Sequence, residues 1–371
     1  MRAIITGQVG VNKKRYIEAV AQLAADGGEP IATYHVGDMM YAEAPDVRPG
    51  RILDLPLFRL HTLRRAVFKD ILSHSAGRAT AILNTHATFR WRHGLFRAFD
   101  FDQIEAFRPD LFICLVDNIE AVHHRLHKDH VLDATLKDLM VWREEEILAT
   151  ELLAIAMGCA HRFYIVSRGR HAPTLETCRR LITRPDMHRV YPSFPMTHIE
   201  DLPAIKAEVQ AFREALARHF ITFDPGEVDE KLLLERAIAA AKEGHDFVEA
   251  QMLDTEEQPV TVRVSVKQVL DIAGDVDGQI YARDFKLIDQ SEIIVSYIPE
   301  LPGGIPALSS GVERELQHAF EGGKEVFVVW KPRRNPSPFI TETATKVFRS
   351  TEEALAYFEA SGMLKAQGLF G

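Results

Sequence analysis

The sequence has 371 residues, of which 46% are hydrophobic and 26% charged, and its formal net charge is −9. This length exceeds one ordinary domain core, so we expect two domains. The acidic balance argues against a nucleic-acid partner. Because no apolar run is long enough to span a bilayer and the N-terminus lacks a secretory pattern, we expect no membrane association. Three cysteines without paired metal-ligand spacing indicate a reducing, cytoplasmic setting and no metal site.

The chain begins with a pattern that suits phosphate binding. Residues 2–6 predict a short buried strand, residues 7–14 a glycine-containing loop, and residues 15–25 a helix. In this arrangement, backbone N–H groups at the start of a helix can bind phosphate, and the full pattern is G-x-x-x-x-G-K-[ST]. Gly7 and Lys13 fit it, but Asn12 replaces the second glycine and Lys14 replaces the hydroxyl that binds magnesium. Alone, the pattern is more typical of a plain strand-to-helix turn.

Further predicted strands alternate with helices, at residues 30–34, 80–83, 111–116 and 163–166. This order predicts a parallel sheet with helices on both faces and ligands at the carboxyl ends of the strands. Residues 48–97 also contain ten arginines and lysines against two aspartates. The stretch forms either a solvated basic helix face or a phosphate-binding cleft, since guanidinium groups match phosphate oxygens.

Several short motifs follow the glycine loop, namely GDMM at 37–40, LPLFR at 55–59, NTHATFR at 84–90 and RPDL at 108–111. Together with the loop they resemble the archaeal-type adenylate kinases over roughly residues 1–170. The resemblance implies that Gly7, Gly10 and Lys13 face the donor phosphates. It also implies that Arg59 and Arg90 lie near the monophosphate site.

Two departures from that family affect the groups that serve magnesium. The family carries an acidic residue where this chain has Asn84, and a serine or threonine where it has Lys14. Phosphoryl transfer depends on magnesium and on cationic groups around the transferred phosphate. We therefore expect the N-terminal half to bind ATP or another nucleotide, with Lys14 partly replacing a cation, or to be purely structural. A nucleotide kinase remains an alternative function.

A second series of elements begins after residues 171–187, which we interpret as a connector. Strands are predicted at 190–195, 220–223, 293–298 and 326–330, and helices at 205–219, 231–242 and 313–321. These elements predict a second, smaller α/β sheet. Alternating valines at 260–266 predict an additional strand or hairpin whose place in the fold stays open.

Candidate catalytic residues concentrate around the last two strands. Asp284 is predicted to precede a helical stretch, and Ser309, Ser310 and Gly311 open a helix that contains Glu315. Hydroxyls and unpaired backbone N–H groups at a helix start suit an anion, and Glu315 would lie beside the same pocket. The alternative is an ordinary helix cap with acidic residues that favour the helix dipole.

The pattern DFKLIDQSE at 284–292, a strand, and then S-x-G-V-x-x-E-L at 309–316 is similar to the nucleoside 2-deoxyribosyltransferase superfamily. A serine six residues before the glutamate resembles the branch that hydrolyses nucleoside 5′-monophosphates. The resemblance covers roughly residues 188–335. It implies Glu315 as the catalytic nucleophile and Asp284 as the ribose-side aspartate. The implied substrate-binding residues are Tyr191, Ser309, Ser310 and Gly311.

The sequence thus predicts an α/β protein with two domains: a P-loop kinase-like parallel sheet, and then a smaller, doubly wound, flavodoxin-like sheet of the deoxyribosyltransferase type. The predicted domains are 1–170 for nucleotide binding and 188–371 for N-glycosidase chemistry. The predicted enzyme is a hydrolase, or a pentosyl transferase, that acts on a small-molecule nucleotide and needs no cofactor for that step. The resemblance also implies a homodimer or higher homo-oligomer. A nucleotide-responsive binding protein without catalysis is a further alternative.

Overall fold

The computed structural model describes residues 1–91, 94–130, 133–169, 172–196, 199 and 201–364. The chain divides into two units. Unit 1 comprises Met1–Thr183 and Val228–Asp277, and unit 2 comprises Arg184–Glu227 and Gly278–Gly371. The predicted division at residues 170 and 188 was continuous, whereas the structure assigns Val228–Asp277 to the first unit.

The elements up to Thr183 alternate between strands and helices, as the sequence predicts, except for one run of three successive strands and two pairs of successive helices. The strands are β1 (Arg2–Thr6), β2 (Ala32–His35), β3 (Ala81–Asn84), β4 (Thr88–Trp91), β5 (Gly94–Arg97), β6 (Leu111–Val116) and β7 (Phe163–Ser167). The helices are α1 (Lys13–Asp26), α2 (Val36–Glu43), α3 (Leu57–Ser75), α4 (Phe101–Phe107), α5 (Ile119–His130), α6 (Leu136–Ala156) and α7 (Ala172–Thr183). Helix α7 occupies most of the predicted connector and belongs to unit 1.

The remaining elements follow from residue 184 onward. The strands are β8 (Arg189–Ser193), β9 (Ile221–Thr222), β10 (Phe247–Leu253), β11 (Pro259–Ser265), β12 (Ile293–Ile298), β13 (Glu300–Leu301), β14 (Ile305–Pro306), β15 (Glu325–Trp330) and β16 (Lys346–Phe348). The helices are α8 (Pro203–His219), α9 (Lys231–Lys242), α10 (Val266–Asp271), α11 (Ala273–Asp289), α12 (Ser310–Glu321), α13 (Pro338–Thr341) and α14 (Thr351–Ala360).

The main sheet of unit 1 has the strand order β2-β3-β1-β6-β7, and every neighbouring pair is parallel. Its central strands are apolar because helices cover both faces, and the side chains of β6 are buried along the whole strand. The carboxyl ends of β1, β3 and β6 meet at one edge, where Thr6 pairs with Cys114 and Ile5 with Asn84. The glycine loop leaves β1 at this edge. The parallel pairing of the five strands confirms the predicted parallel sheet.

The main sheet of unit 2 has the order β16-β15-β12-β8-β9 and is also parallel. Numbered along the chain within this sheet, the order is 2-1-3-4-5, which is the flavodoxin-like arrangement. The order in which successive strands are added to the sheet reverses between β8 and β12, and such a switch point leaves a crevice at the carboxyl ends of the strands. The core below contains Val190, Phe212, Val295 and Phe327, all nearly fully buried.

The alternating valines, whose place in the fold the sequence left open, form β11. This strand pairs antiparallel with β10, and the hairpin belongs to unit 1 together with α9. Two predictions about the second half differ from the structure. Helix α9 was predicted with the bounds it has but was assigned to the second sheet. Asp284 lies inside α11 rather than before a helix, because the helical segment already begins at Ala273. In the described part of the chain, no helix combines the length and apolarity needed to cross a bilayer.

Candidate functional site

A carboxylate with two hydroxyl donors lies in unit 2, at the switch point of its sheet. Glu315, on α12, accepts hydrogen bonds from the Tyr191 hydroxyl at 2.9 Å and from Ser193 Oγ at 2.6 Å. Tyr191 and Ser193 are two residues apart on β8, so their side chains point to the same face of the sheet. Ser296, on the neighbouring strand β12, donates to Ser193 Oγ at 3.3 Å. The Glu315 carboxylate is therefore fixed in position by the two central strands.

The residues that begin α12 lie one to two turns before this carboxylate. Ser309 has an extended backbone, and its side chain accepts a hydrogen bond from the Val312 N–H at 3.2 Å. This bond is that of an ordinary helix cap. The Ser309 hydroxyl can nevertheless donate its own proton to an anion, because a hydroxyl both accepts and donates. Ser310 and Gly311 form the first exposed turn of the helix.

Asp284 and Arg283 supply further charge to the same site from α11. Both side chains are buried, and Arg283 Nε lies 3.6 Å from Asp284 Oδ1. The negative charge of Asp284 contributes to the raised pKa values of both Glu315 and Tyr191. Arg283 was not among the predicted site residues, although its position directly before Asp284 was a usable signal.

Burial is the main influence on the pKa values of Glu315 and Tyr191. It raises the pKa of Glu315 from 4.5 to about 8, with Asp284 adding to the rise and the hydrogen bonds from Ser193 and Tyr191 opposing it. Burial also raises the pKa of Tyr191 well above its usual range. A carboxyl with a pKa near neutrality can act as an acid when protonated and as a base or nucleophile when ionised.

The glycine loop of unit 1 places its two glycines in backbone conformations that other residues rarely adopt. Gly7 and Gly10 have φ angles of +142° and +89°, and a Cβ at Gly7 would lie 2.5 Å from the Leu115 carbonyl oxygen. Asn12, which replaces the second glycine of the motif, adopts φ +61° in the left-handed region immediately before α1. Asparagine tolerates this conformation better than most residues, so Asn12 can occupy the position that the motif gives to glycine.

Both lysines of the loop make polar contacts within unit 1. Lys13 is buried, donates to the Gly7 carbonyl at 2.6 Å and lies 3.1 Å from His86 Nδ1, and burial lowers its pKa to about 8. Lys14 pairs with Asp38 at 2.6 Å, and the hydrogen bond to Asp38 raises the pKa of this lysine. Lys14 thus places a cation where the kinase motif has its magnesium-binding hydroxyl.

Glu146 joins this loop to residues 85–88, whose sequence Thr-His-Ala-Thr is here called the THAT motif, and it was not among the predicted site residues. From α6 it accepts hydrogen bonds from the N–H groups of Gly7, Ala87 and Thr88 at 2.7–3.0 Å, and from Thr88 Oγ1 at 2.6 Å. It is 1% exposed. Its spacing of four residues from Trp142 and seven from Leu139 and Leu153 is a sequence signal that places it on the apolar, buried face of α6.

A pocket of about 290 Å³ opens beside the loop, and Gly10, Lys13, Lys14, Asn84 and His86 are among the residues that line it. The Asn84 side-chain amide donates from Nδ2 to His35 Nδ1 at 2.9 Å. One guanidinium of the basic stretch, that of the buried Arg64, also lines the pocket.

The two predicted monophosphate-site arginines lie elsewhere. Arg59 pairs with Asp46 at 2.7 Å, Arg90 pairs with Glu145 at 2.6 Å, and neither is among the described residues that line the pocket. Arg92 of the basic stretch lies outside the described residues. The structure therefore brings Gly10, Lys13 and Lys14 to one pocket but does not bring Arg59 and Arg90 to it.

A comparison with known protein families finds similarity in the N-terminal part of the chain. Residues 6–142 are similar to an AAA domain. This match and the parallel sheet with its glycine loop support a P-loop, kinase-like N-terminal domain and indicate nucleotide binding. No curated protein matches the chain.

Proposed function

We propose that this chain is a nucleotide N-glycosidase, which hydrolyses the bond between base and sugar in a nucleoside 5′-monophosphate. The observation that carries the proposal is the Glu315 carboxylate, held by Tyr191 and Ser193 beside Asp284 at the switch point of the unit 2 sheet. In this proposal, unit 1 binds a nucleotide as a sensor or acts as a scaffold.

The chemistry follows from the charge that develops during cleavage. As the bond from the anomeric carbon to the base breaks, its electron pair leaves with the base, and positive charge grows on that carbon. The ionised Glu315 stabilises this charge and captures the carbon in a covalent ester. Water then attacks the anomeric carbon, and the bond from this carbon to the Glu315 oxygen breaks. The sugar phosphate is released, the carboxylate is regenerated, and the proton lost by water balances the one taken up by the departing base. Asp284 would hold a sugar hydroxyl or assist proton transfer to the leaving base.

The start of α12 would select nucleotides over nucleosides through the 5′-phosphate. We expect Ser309→Ala to raise KM for a nucleotide more than for the matching nucleoside. A hydrogen bond to a charged phosphate contributes about 1.5–3 kcal/mol, which corresponds to roughly a ten- to hundred-fold effect. Steady-state kinetics with both substrates measure it.

Ser350→Ala is the matched control for this prediction. Ser350 caps α14 of unit 2 by accepting from the Glu353 N–H at 3.1 Å, so the variant removes an equivalent cap bond. It should leave the ratio of the two KM values unchanged. Equal KM increases on nucleotide and nucleoside in Ser309→Ala would show that Ser309 is only a cap.

The second candidate function is phosphotransfer by unit 1, which the AAA-domain match and the pocket beside Lys13 favour. Against it, Asn84 and Lys14 occupy the two positions that serve magnesium in the kinases. We expect little or no ADP from ATP and AMP in the presence of magnesium, as measured by chromatography. Robust magnesium-dependent turnover that disappears in Lys13→Ala but persists in Lys242→Ala, an exposed-lysine control on α9, would establish the kinase instead.

A further inference from the structure

The turn of the β10–β11 hairpin carries three carboxylates, Asp254, Glu256 and Glu257, and it lies against the glycine loop within unit 1. The Asn12 side-chain amide donates to Glu257 Oε1 at 2.6 Å and to the Thr255 carbonyl at 3.0 Å. Asn12 is the residue immediately before α1. An acidic side chain of the hairpin thus reaches the helix start from which a P-loop domain binds phosphate.

A buried guanidinium binds the same carboxylate. Arg168, directly after β7, donates from Nη2 to both oxygens of Glu257 at 2.5 Å. Arg168 Nη1 lies 3.3 Å from Asp117, directly after β6, and Asp117 also accepts from the buried Arg125. Arg168 is therefore held at the carboxyl edge of the sheet, and its outer nitrogen is directed at Glu257.

Flanking ion pairs hold the turn along its length. Arg15 pairs with Glu256 at 2.7 Å, and Lys128 pairs with Asp254 at 3.4 Å. Glu257 itself has a left-handed φ of +62° and is 38% exposed, whereas its partner Arg168 is 4% exposed. The buried Arg168 guanidinium thus binds a carboxylate of the protein's own hairpin. The more exposed Glu257 side chain can leave this site while Arg168 stays in place.

We propose that Arg168 and Asn12 form an anion site for a terminal phosphate of a nucleoside triphosphate, and that Glu257 occupies this site until the triphosphate displaces it. A guanidinium and an amide N–H offer a phosphate oxygen the same donors that they offer a carboxylate. The inference rests on the proposed nucleotide binding by unit 1. A monophosphate needs no such displacement, because the described lining of the 290 Å³ pocket includes Asn12 and Lys13 but no residue of the hairpin turn.

The test compares ATP with AMP on the full-length chain by titration calorimetry. In Glu257→Gln the competing charge is lost, so the Kd for ATP should fall about ten-fold, while the Kd for AMP should stay the same. Glu249→Gln, which neutralises an exposed carboxylate on β10, should bind both nucleotides as the wild type does. Hydrogen exchange gives an independent readout. In the wild type, saturating ATP but not AMP should accelerate exchange at the turn amides of Glu257 and Gln258, which are bonded within the turn.

The outcomes separate this inference from the function on which it rests. Equal ATP affinity in wild type and Glu257→Gln, with unchanged exchange at the turn, overturns the displacement and leaves nucleotide binding by unit 1 intact. Absence of binding by ATP and AMP in every variant overturns both the inference and nucleotide binding by unit 1. Release of base by unit 2 is measured separately and does not depend on either result.

Discussion

Glu315→Gln should abolish the release of base from a nucleoside 5′-monophosphate and lower kcat/KM by at least about 10³-fold, as expected when a catalytic nucleophile is removed. The amide is nearly isosteric with the carboxyl group, but it cannot capture the anomeric carbon or stabilise its positive charge. Chromatographic assay of the free base measures the loss, and circular dichroism verifies that the variant is folded.

The matched control is Glu208→Gln. Glu208 also accepts a hydrogen bond from a tyrosine of unit 2, Tyr297, at 2.9 Å. Its substitution therefore removes a comparable carboxylate–tyrosine pair outside the proposed site, and it should leave kcat/KM within about two-fold of wild type because Glu208 does not contact the proposed catalytic residues. Full activity in Glu315→Gln would show that Glu315 is not the nucleophile.

The same variant has a pH signature in stability. Because burial raises the pKa of Glu315 from 4.5 to about 8, the folded state keeps a proton between these values that the unfolded state releases. This group therefore lowers the free energy of unfolding as pH rises from about 4.5 to about 8. Glutamine does not ionise, so the stability of Glu315→Gln relative to wild type should increase over that window, as measured by urea denaturation.

Glu146→Ala should lower the free energy of unfolding of unit 1 by about 3 kcal/mol or more. The substitution leaves the buried donors of Gly7, Ala87 and Thr88 without their acceptor, and each unsatisfied buried group costs about 1–3 kcal/mol. Denaturant titration measures the change.

Glu145→Ala is the neighbouring control. Its carboxylate is 21% exposed and pairs with Arg90, which is itself 39% exposed, so its loss should cost at most about 1 kcal/mol. Equal destabilisation by the two variants would contradict a special role for Glu146 in joining the loop to the THAT motif.

Local pattern was sufficient to predict most of the main-sheet strands. The run at 111–116 is continuously apolar, the run at 293–298 is apolar except for Ser296, and the bounds of both agree with β6 and β12. Local sequence pattern does not show against which other elements a given helix or strand packs. Helix α9 was predicted correctly as a helix but assigned to the wrong sheet, because its packing in unit 1 depends on contacts distant in sequence, such as Arg143 with Glu230.

The candidate sites show the same limit, because local pattern does not show which side chains meet in space. Glu315 and Tyr191 were chosen from family resemblance, and the structure brings them together. Ser193 was missed because its bond to Glu315 joins residues 122 positions apart. Arg59 and Arg90 were also chosen from family resemblance, but nearby carboxylates pair with both. Charge in a sequence identifies a possible ligand of phosphate without showing which carboxylates compete for it.

The most direct test of the proposed function is chromatography of purified full-length protein incubated with a panel of nucleoside 5′-monophosphates and their matching nucleosides. We expect free base from at least one monophosphate, with an equal amount of sugar 5-phosphate and slower release from the matching nucleoside. Recovery of every nucleotide intact, with no free base above the level given by Glu315→Gln, would contradict it.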